Sequence, residues 1–154
     1  MTEAEKSDNS LKYENYREQF TRLRRAMNAG FNLEAIFIEY AVLEDRTESV
    51  LRHAGLWEAY LKKRGRNGAT LESKVKYVQN FAREKKALLH RYFGDGILDE
   101  ILAWKEERNR LIHALLKQDL AAGEIAGFAG TGKELAEKLR NRVSNYIYAV
   151  RKKQ

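Results

Sequence analysis

Proline is absent from all 154 residues of the chain. The residue that breaks helices and interrupts sheet ladders never appears, so long continuous helices are open to the polypeptide from end to end. The apolar residues use that freedom with helical periodicity. Tyr13, Tyr16, Phe20, Leu23 and Met27 recur at alternating spacings of three and four, which predicts a first helix over 11–28 that ends before Gly30. The polar, mixed-charge residues ahead of it are expected to form a flexible N-terminus over 1–10, followed by one helical domain over 11–154.

The same reading continues along the chain. Asn32 can cap a second helix whose stripe is Leu33, Ile36, Phe37, Tyr40, Leu43, Val50, Leu51 and Ala54, closed by Gly55. A short helix through Leu56, Trp57, Tyr60 and Leu61 leads into the loop Arg64 to Gly68. Thr70 is the next cap, for a helix that buries Leu71, Val75, Val78, Ala82, Leu88 and Leu89, turns its Lys and Arg outward, and ends at Phe93 to Gly96. A fourth long helix is expected from Ile97 to Ala122 with Gly123 as its stop, then a small-residue loop over 124–130. Thr131 and Glu134 have capping-box spacing for a last helix with Leu135, Leu139, Val143, Ile147 and Val150 inside. The expected fold is all-α: a single-domain helical bundle of about five helices, with no repeat and no second domain.

Composition narrows the chemistry. With no cysteine there is neither a disulfide framework nor a thiolate metal site, and no metal or other cofactor is expected. A reducing compartment fits, and cytoplasm is the simplest localisation. No segment approaches 18 uninterrupted apolar residues and the N-terminus lacks an apolar core, so no membrane partner or secretion signal is expected. The net charge of +7 is concentrated: between Tyr60 and Arg91 stand ten basic residues against Glu72 and Glu84. Such a block attracts polyanions, and Lys62, Lys63, Arg64 and Arg66 are its candidate RNA-binding residues.

The fourth long helix carries an anomaly. Leu98, Ile101 and Leu102 enter its apolar stripe and Ile112, Leu115 and Leu116 leave it, but Lys105, Arg108 and Asn109 occupy the positions between. An unpaired guanidinium on a core-facing stripe costs several kcal/mol, so this turn must meet a partner, a wet cleft or a second subunit. Asn109 and His113 are four apart on one face, and Arg108 can reach over on its long stem.

Arg108, Asn109 and His113 resemble the signature of the HEPN ribonucleases, an Arg followed after four to six residues by His, here in an Arg-Asn-x-x-x-His form. Looser Arg-to-His matches occur at Arg46 to His53 and Arg83 to His90, but only Arg108 is followed by Asn. The resemblance implies a HEPN-like helical bundle and metal-independent endoribonuclease activity, in which the ribose 2′-hydroxyl attacks its own phosphate and leaves a cyclic phosphate. His113 would be the general acid or base, Arg108 the clamp on the phosphate, and Asn109 the residue that orients either. Lys105 and Arg110 on the same helix join the expected RNA contacts.

The resemblance also implies a homodimer with a composite active site, for which Leu98, Ile101, Ile112 and Leu115 are expected to flank the two-fold axis. Toxin or phage-defence effectors are the settings it suggests, with an antitoxin or regulatory partner. In the toxin branch silenced by nucleotidylation a Tyr stands two positions after the His; here Leu115 stands there, which argues against that control.

Other readings compete. Residues 127–133 have P-loop spacing, but Glu134 replaces the hydroxyl residue that would hold magnesium and no strand precedes them. His53 reads as a helix-end and His90 as a surface histidine, and Trp57 and Trp104 as core or interface residues. Glu39, Glu44 and Asp45 could reach the site, with solvated or salt-bridged roles the plainer expectation. The alternative function is a non-catalytic helical module that binds RNA, a nucleotide or a partner; a structural adaptor would instead tie Arg108 and His113 into a buried polar network.

Overall fold

A computed structural model of the chain describes residues 3–115, 117 and 120–153, and the side chains of those from Leu11 on, Lys12 excepted. Helices α1 (Glu3–Asn28), α2 (Asn32–His53), α3 (Trp57–Arg64), α4 (Leu71–Ala82), α5 (Leu88–Phe93), α6 (Ile97–Ala114) and α7 (Ala122–Arg151) make it all-helical, with no strand among the described residues. A single 3₁₀ turn, Arg66–Gly68, joins α3 to α4. None of these helices is long and apolar enough to cross a membrane.

Seven helices stand where about five were expected: five long segments, the short helix read through Leu56 to Leu61 as α3, and one more from a break in the helix expected from Thr70 past Leu89. The start is as read: Thr70 accepts from the Ser73 amide and Ser73 Oγ accepts from the Thr70 amide, a complete capping box. Its end is earlier. Residues 83–86 are all charged and exposed, so nothing apolar holds that turn to the core, and the chain bends there to bring Leu89 and Phe93 inside. His90 closes the break, its Nδ1 donating to the Ala82 carbonyl at 2.7 Å. It is a half-buried helix cap rather than a surface histidine.

The second departure concerns α6 and α7. Helix α6 stops at Ala114, eight residues before the expected Ala122, and Leu116 lies outside the described residues. The expected loop over 124–130 is helical, and Thr131 turns its hydroxyl back to the Gly127 carbonyl instead of capping a new helix. Four glycines weaken this stretch intrinsically, but packing overrides propensity. Phe128 stacks on Trp104 with centroids 5.1 Å apart, Ala129 is fully buried, and Gly132 lets α7 run close beside α2. The P-loop reading falls with the loop, since residues 127–133 are the body of a helix.

Helix α2 is the hub, touching α1, α4, α6 and α7. Tyr16 meets Asp45, so α1 runs against α2, whereas α7 runs alongside it, with Gly132 level with Glu39. The pairs Arg110–Glu124, Lys138–Glu100 and Arg142–Asp95 set α7 antiparallel to α6. Gln79–Asp99 and Glu72–Lys105 do the same for α4 and α6. Leu23, Leu43, Leu51, Tyr60, Leu71, Val75, Ile97, Ile101 and Leu139 fill the space between them without exposure. One end of the bundle therefore gathers the start of α2, the loop before α4, the end of α6 and the start of α7.

Candidate functional site

At that end sits Arg108. Its guanidinium lies 4.5 Å from the centre of the Tyr40 ring and donates from Nη1 to Asn109 Oδ1 at 3.2 Å. The side chain is half-buried, and its Nε is buried without a hydrogen-bond partner. Among the described residues no carboxylate pairs with it. A guanidinium held by a π face and an amide, with no described carboxylate to neutralise it, keeps donors for an anion.

The neighbouring cations of α6 are in a different condition. Lys105 Nζ is 2.7 Å from Glu72 and 2.8 Å from Glu106, and those hydrogen bonds raise its pKa. On the other side, Lys105 and Lys76 together hold the Glu72 carboxyl down at about 2. Arg110 is clamped by Glu107 at 2.6 Å and Glu124 at 2.7 Å. Both were expected to meet RNA; both have their charge cancelled locally, and Arg108 is the exception between them. Lys62, Lys63, Arg64 and Arg66 are exposed on α3 and the loop before α4. Because α4 and α6 run antiparallel, that loop falls at the level of the last turns of α6.

His113 is exposed in the final turn of α6 and makes no hydrogen bond or ion pair with a described residue. Five residues separate it from Arg108, about 140° around a helix. Arg108 leans onto α2 while His113 faces solvent, so one chain does not bring the two groups onto a single phosphate.

The surroundings of Arg108 are apolar and open. Phe37 and Leu33 precede Tyr40 by three and seven residues on the same face of α2, and Ile112 follows Arg108 by one turn on α6. Their exposures are 70 %, 47 % and 40 %. Leu33 and Phe37 were expected inside, on the α2 stripe, but that stripe rotates off the core at its first two turns. The reverse holds for Leu98 and Ile101, which were expected to flank a dimer axis: they are 3 % and 0 % exposed in the chain's own core. Ile112 and the half-buried Leu115 remain at the surface.

Next to Tyr40 on α2, and turned into the core, lies Glu39. It is fully buried, neither carboxylate oxygen has a hydrogen-bond partner, and burial pushes its pKa up to about 8. It is therefore neither solvated nor salt-bridged as expected, and it is protonated at neutral pH. The space above Gly132 is where it meets the buried Trp104: a Cβ at that position would lie 2.1 Å from Glu39 Oε2 and 2.7 Å from Trp104 Nε1. Glu44 is spent on Lys74, itself buried between Glu44 and Glu48 at 3.2 and 3.0 Å, against the expectation that the lysines of α4 face out. Asp45 binds Tyr16 and Arg46. Among the described residues no three His, Asp or Glu side chains come close enough to hold a metal ion.

Tyr40 was passed over in the sequence, and Glu39 was read as a residue that could reach the site, with a solvated or salt-bridged role the plainer expectation, but not as a buried one. Tyr40 was hidden as one more member of an apolar stripe. Glu39 carried a signal, because it falls between Ile36 and Leu43 at helical spacing, the same kind of interruption that singled out Arg108 on α6. No known protein family, curated protein or solved structure matches the chain at a significant level. The functional reading stands on these residues.

Proposed function

We propose that this protein is a metal-independent endoribonuclease of the HEPN type, with Arg108, Asn109 and His113 as its working residues and a second copy of the chain completing the site. The observation that carries this reading is the state of Arg108: a half-buried guanidinium with no carboxylate partner among the described residues, flanked by cations that have theirs. A protein that needed only surface charge here would have neutralised or solvated all three alike.

The chemistry follows from the groups present. The attacking 2′-hydroxyl forms a bond to phosphorus as the bond to the 5′-oxygen breaks, leaving a 2′,3′-cyclic phosphate and a 5′-hydroxyl end. A base takes the 2′ proton and an acid protonates the departing oxygen; imidazole can do either near neutral pH. Arg108 offers paired N–H donors to the non-bridging oxygens, whose charge grows in the transition state. A two-fold partner resolves the 140° divergence between Arg108 and His113, since the Arg of one copy can face the His of the other. The exposed Phe37 and Ile112 beside Arg108 are surface that such a partner would cover. The basic loop at the same end would hold the flanking phosphates.

Purified protein incubated with single-stranded RNA in excess chelator tests the reading. Cleavage to products ending in a 2′,3′-cyclic phosphate is expected. Intact RNA at every protein concentration, or cleavage that Arg108→Ala and His113→Ala leave unchanged, would overturn it.

A further inference from the structure

We infer that a second, separate ligand site lies in the cleft between α1, α2 and α7, and that it takes a nucleotide through its phosphates. The cleft has a volume of about 500 Å³, within the roughly 300–1,000 Å³ of small-molecule sites. Five of the twelve described residues that line it are arginines, and no Asp or Glu is among them. Of these arginines only Arg46 has a carboxylate partner among the described residues, Asp45, and an anionic ligand would explain a cavity that leaves the others unopposed.

Two of the five arginines, Arg46 and Arg140, are held in place by the fold, while Arg17, Arg24 and Arg151 are exposed around them. Arg46 is only 12 % exposed, stacks 4.0 Å over the Tyr16 ring, and donates from Nε to Tyr16 Oη at 2.7 Å and from Nη2 to Asp45 at 2.7 Å. Burial and the short bond from its hydroxyl to Asp45 keep Tyr16 protonated far above the usual phenol range, although Arg46 pulls the other way. The second edge of Arg46, at Nη1, has no partner among the described residues. From α7, the Arg140 guanidinium carbon lies 4.3 Å from the centre of the Phe20 ring. His53 donates from Nδ1 to the Ser49 carbonyl at 2.8 Å, which fixes its tautomer and leaves Nε2 available.

Arginines anchored by stacking lose little freedom when they bind phosphate. One phosphate would leave most of this volume empty, and the exposed Tyr13 ring supplies a wall suited to a planar base, the Tyr16 and Phe20 rings being covered by Arg46 and Arg140. The shared chemistry is a base carrying a phosphate, supplied either by a free nucleotide or by a phosphorylated RNA end. On α2, Arg46 follows Tyr40 by six residues, which turns it about 120° away from the face that meets Arg108, so this is not the α6 site approached from another side.

Calorimetric titration of full-length Arg108→Ala protein, in which the α6 site is disabled and RNA stays intact, provides the test. Its outcome does not depend on the ribonuclease reading. The probes are ADP, adenosine, pyrophosphate, and a trinucleotide RNA with and without a 5′-phosphate. ADP is expected to bind at least tenfold more tightly than adenosine and than pyrophosphate. Adding Arg17→Gln should weaken ADP at least tenfold while the melting temperature stays put, and Arg140→Gln should weaken it as much with the cooperative melt and helical signal retained. Should ADP fail and the 5′-phosphorylated trinucleotide bind with the same dependence on these arginines, the ligand is an RNA end. Equal binding of ADP and adenosine, equal binding of ADP and pyrophosphate, binding indifferent to both substitutions, or no binding of any probe would each overturn the inference.

Discussion

The Arg108 guanidinium packs 4.5 Å from the centre of the Tyr40 ring, joining α6 to the first half of α2 with no ion pair among the described residues. A cation–π contact of this kind contributes about 0.5–2 kcal/mol, less than a buried guanidinium left alone would cost. The contact therefore makes the position tolerable and leaves the charge available. Lys105 and Arg110, one turn or less away, spend their charge on Glu72, Glu106, Glu107 and Glu124.

Arg108→Ala and His113→Ala are both expected to abolish RNA cleavage, but with different structural costs. His113 is exposed and makes no bond with a described residue, so its loss should stay within about 0.5 kcal/mol of wild-type stability. Arg108→Ala should cost about 1 kcal/mol through lost packing on Tyr40. Denaturant melts alongside cleavage assays check both. Large destabilisation of the two together would point instead to a structural network.

The composite site predicts rescue. Inactive Arg108→Ala and inactive His113→Ala proteins, mixed under conditions that exchange subunits, should recover part of the activity, because mixed dimers keep one Arg and one His on opposite chains. Phe37→Glu should lower the mass seen by light scattering to that of one chain and remove cleavage, with the helical signal unchanged. A protein that is monomeric throughout while still cutting RNA would refute the shared site.

Glu39 sets a pH dependence of stability. Its folded pKa of about 8 lies above the ordinary value of 4.5, so between these the folded state binds more protons than the unfolded one and stability falls as pH rises. Its contribution is complete below about pH 4.5 and is lost through about pH 8. Glu39→Gln should flatten this part of the melting profile, with the largest advantage over wild type above pH 8. Parallel profiles for the two proteins would mean that the carboxyl finds a partner.

The glycines of α7 should respond in opposite directions. At Gly132 a Cβ would meet Glu39 and Trp104 at 2.1 and 2.7 Å, so Gly132→Ala should destabilise by about 1–3 kcal/mol despite its better helix propensity. At Gly127 and Gly130 a Cβ would have nothing within 4 Å, and Ala there should stabilise by about 0.5–1 kcal/mol. Thermal melts of the three variants separate close packing from mere helical tolerance.

What the sequence by itself determined was local. The lack of proline, the three-and-four spacing of apolar residues and the Thr70 cap specify helices because each acts within about one turn of the chain. The same logic located Arg108 as an interruption. Only tertiary structure decided which cations keep their charge, since the pairs that silence them span large separations: Glu72 with Lys105, Glu100 with Lys138, Asp95 with Arg142. It also decided that α7 runs unbroken through its glycines, because Gly132 is needed where Glu39 of α2 and Trp104 of α6 crowd the helix. The basic cleft belongs to the same class. Arg17, Arg46 and Arg140 come from three helices, and no spacing along one chain encodes a cavity whose walls meet only when those helices pack.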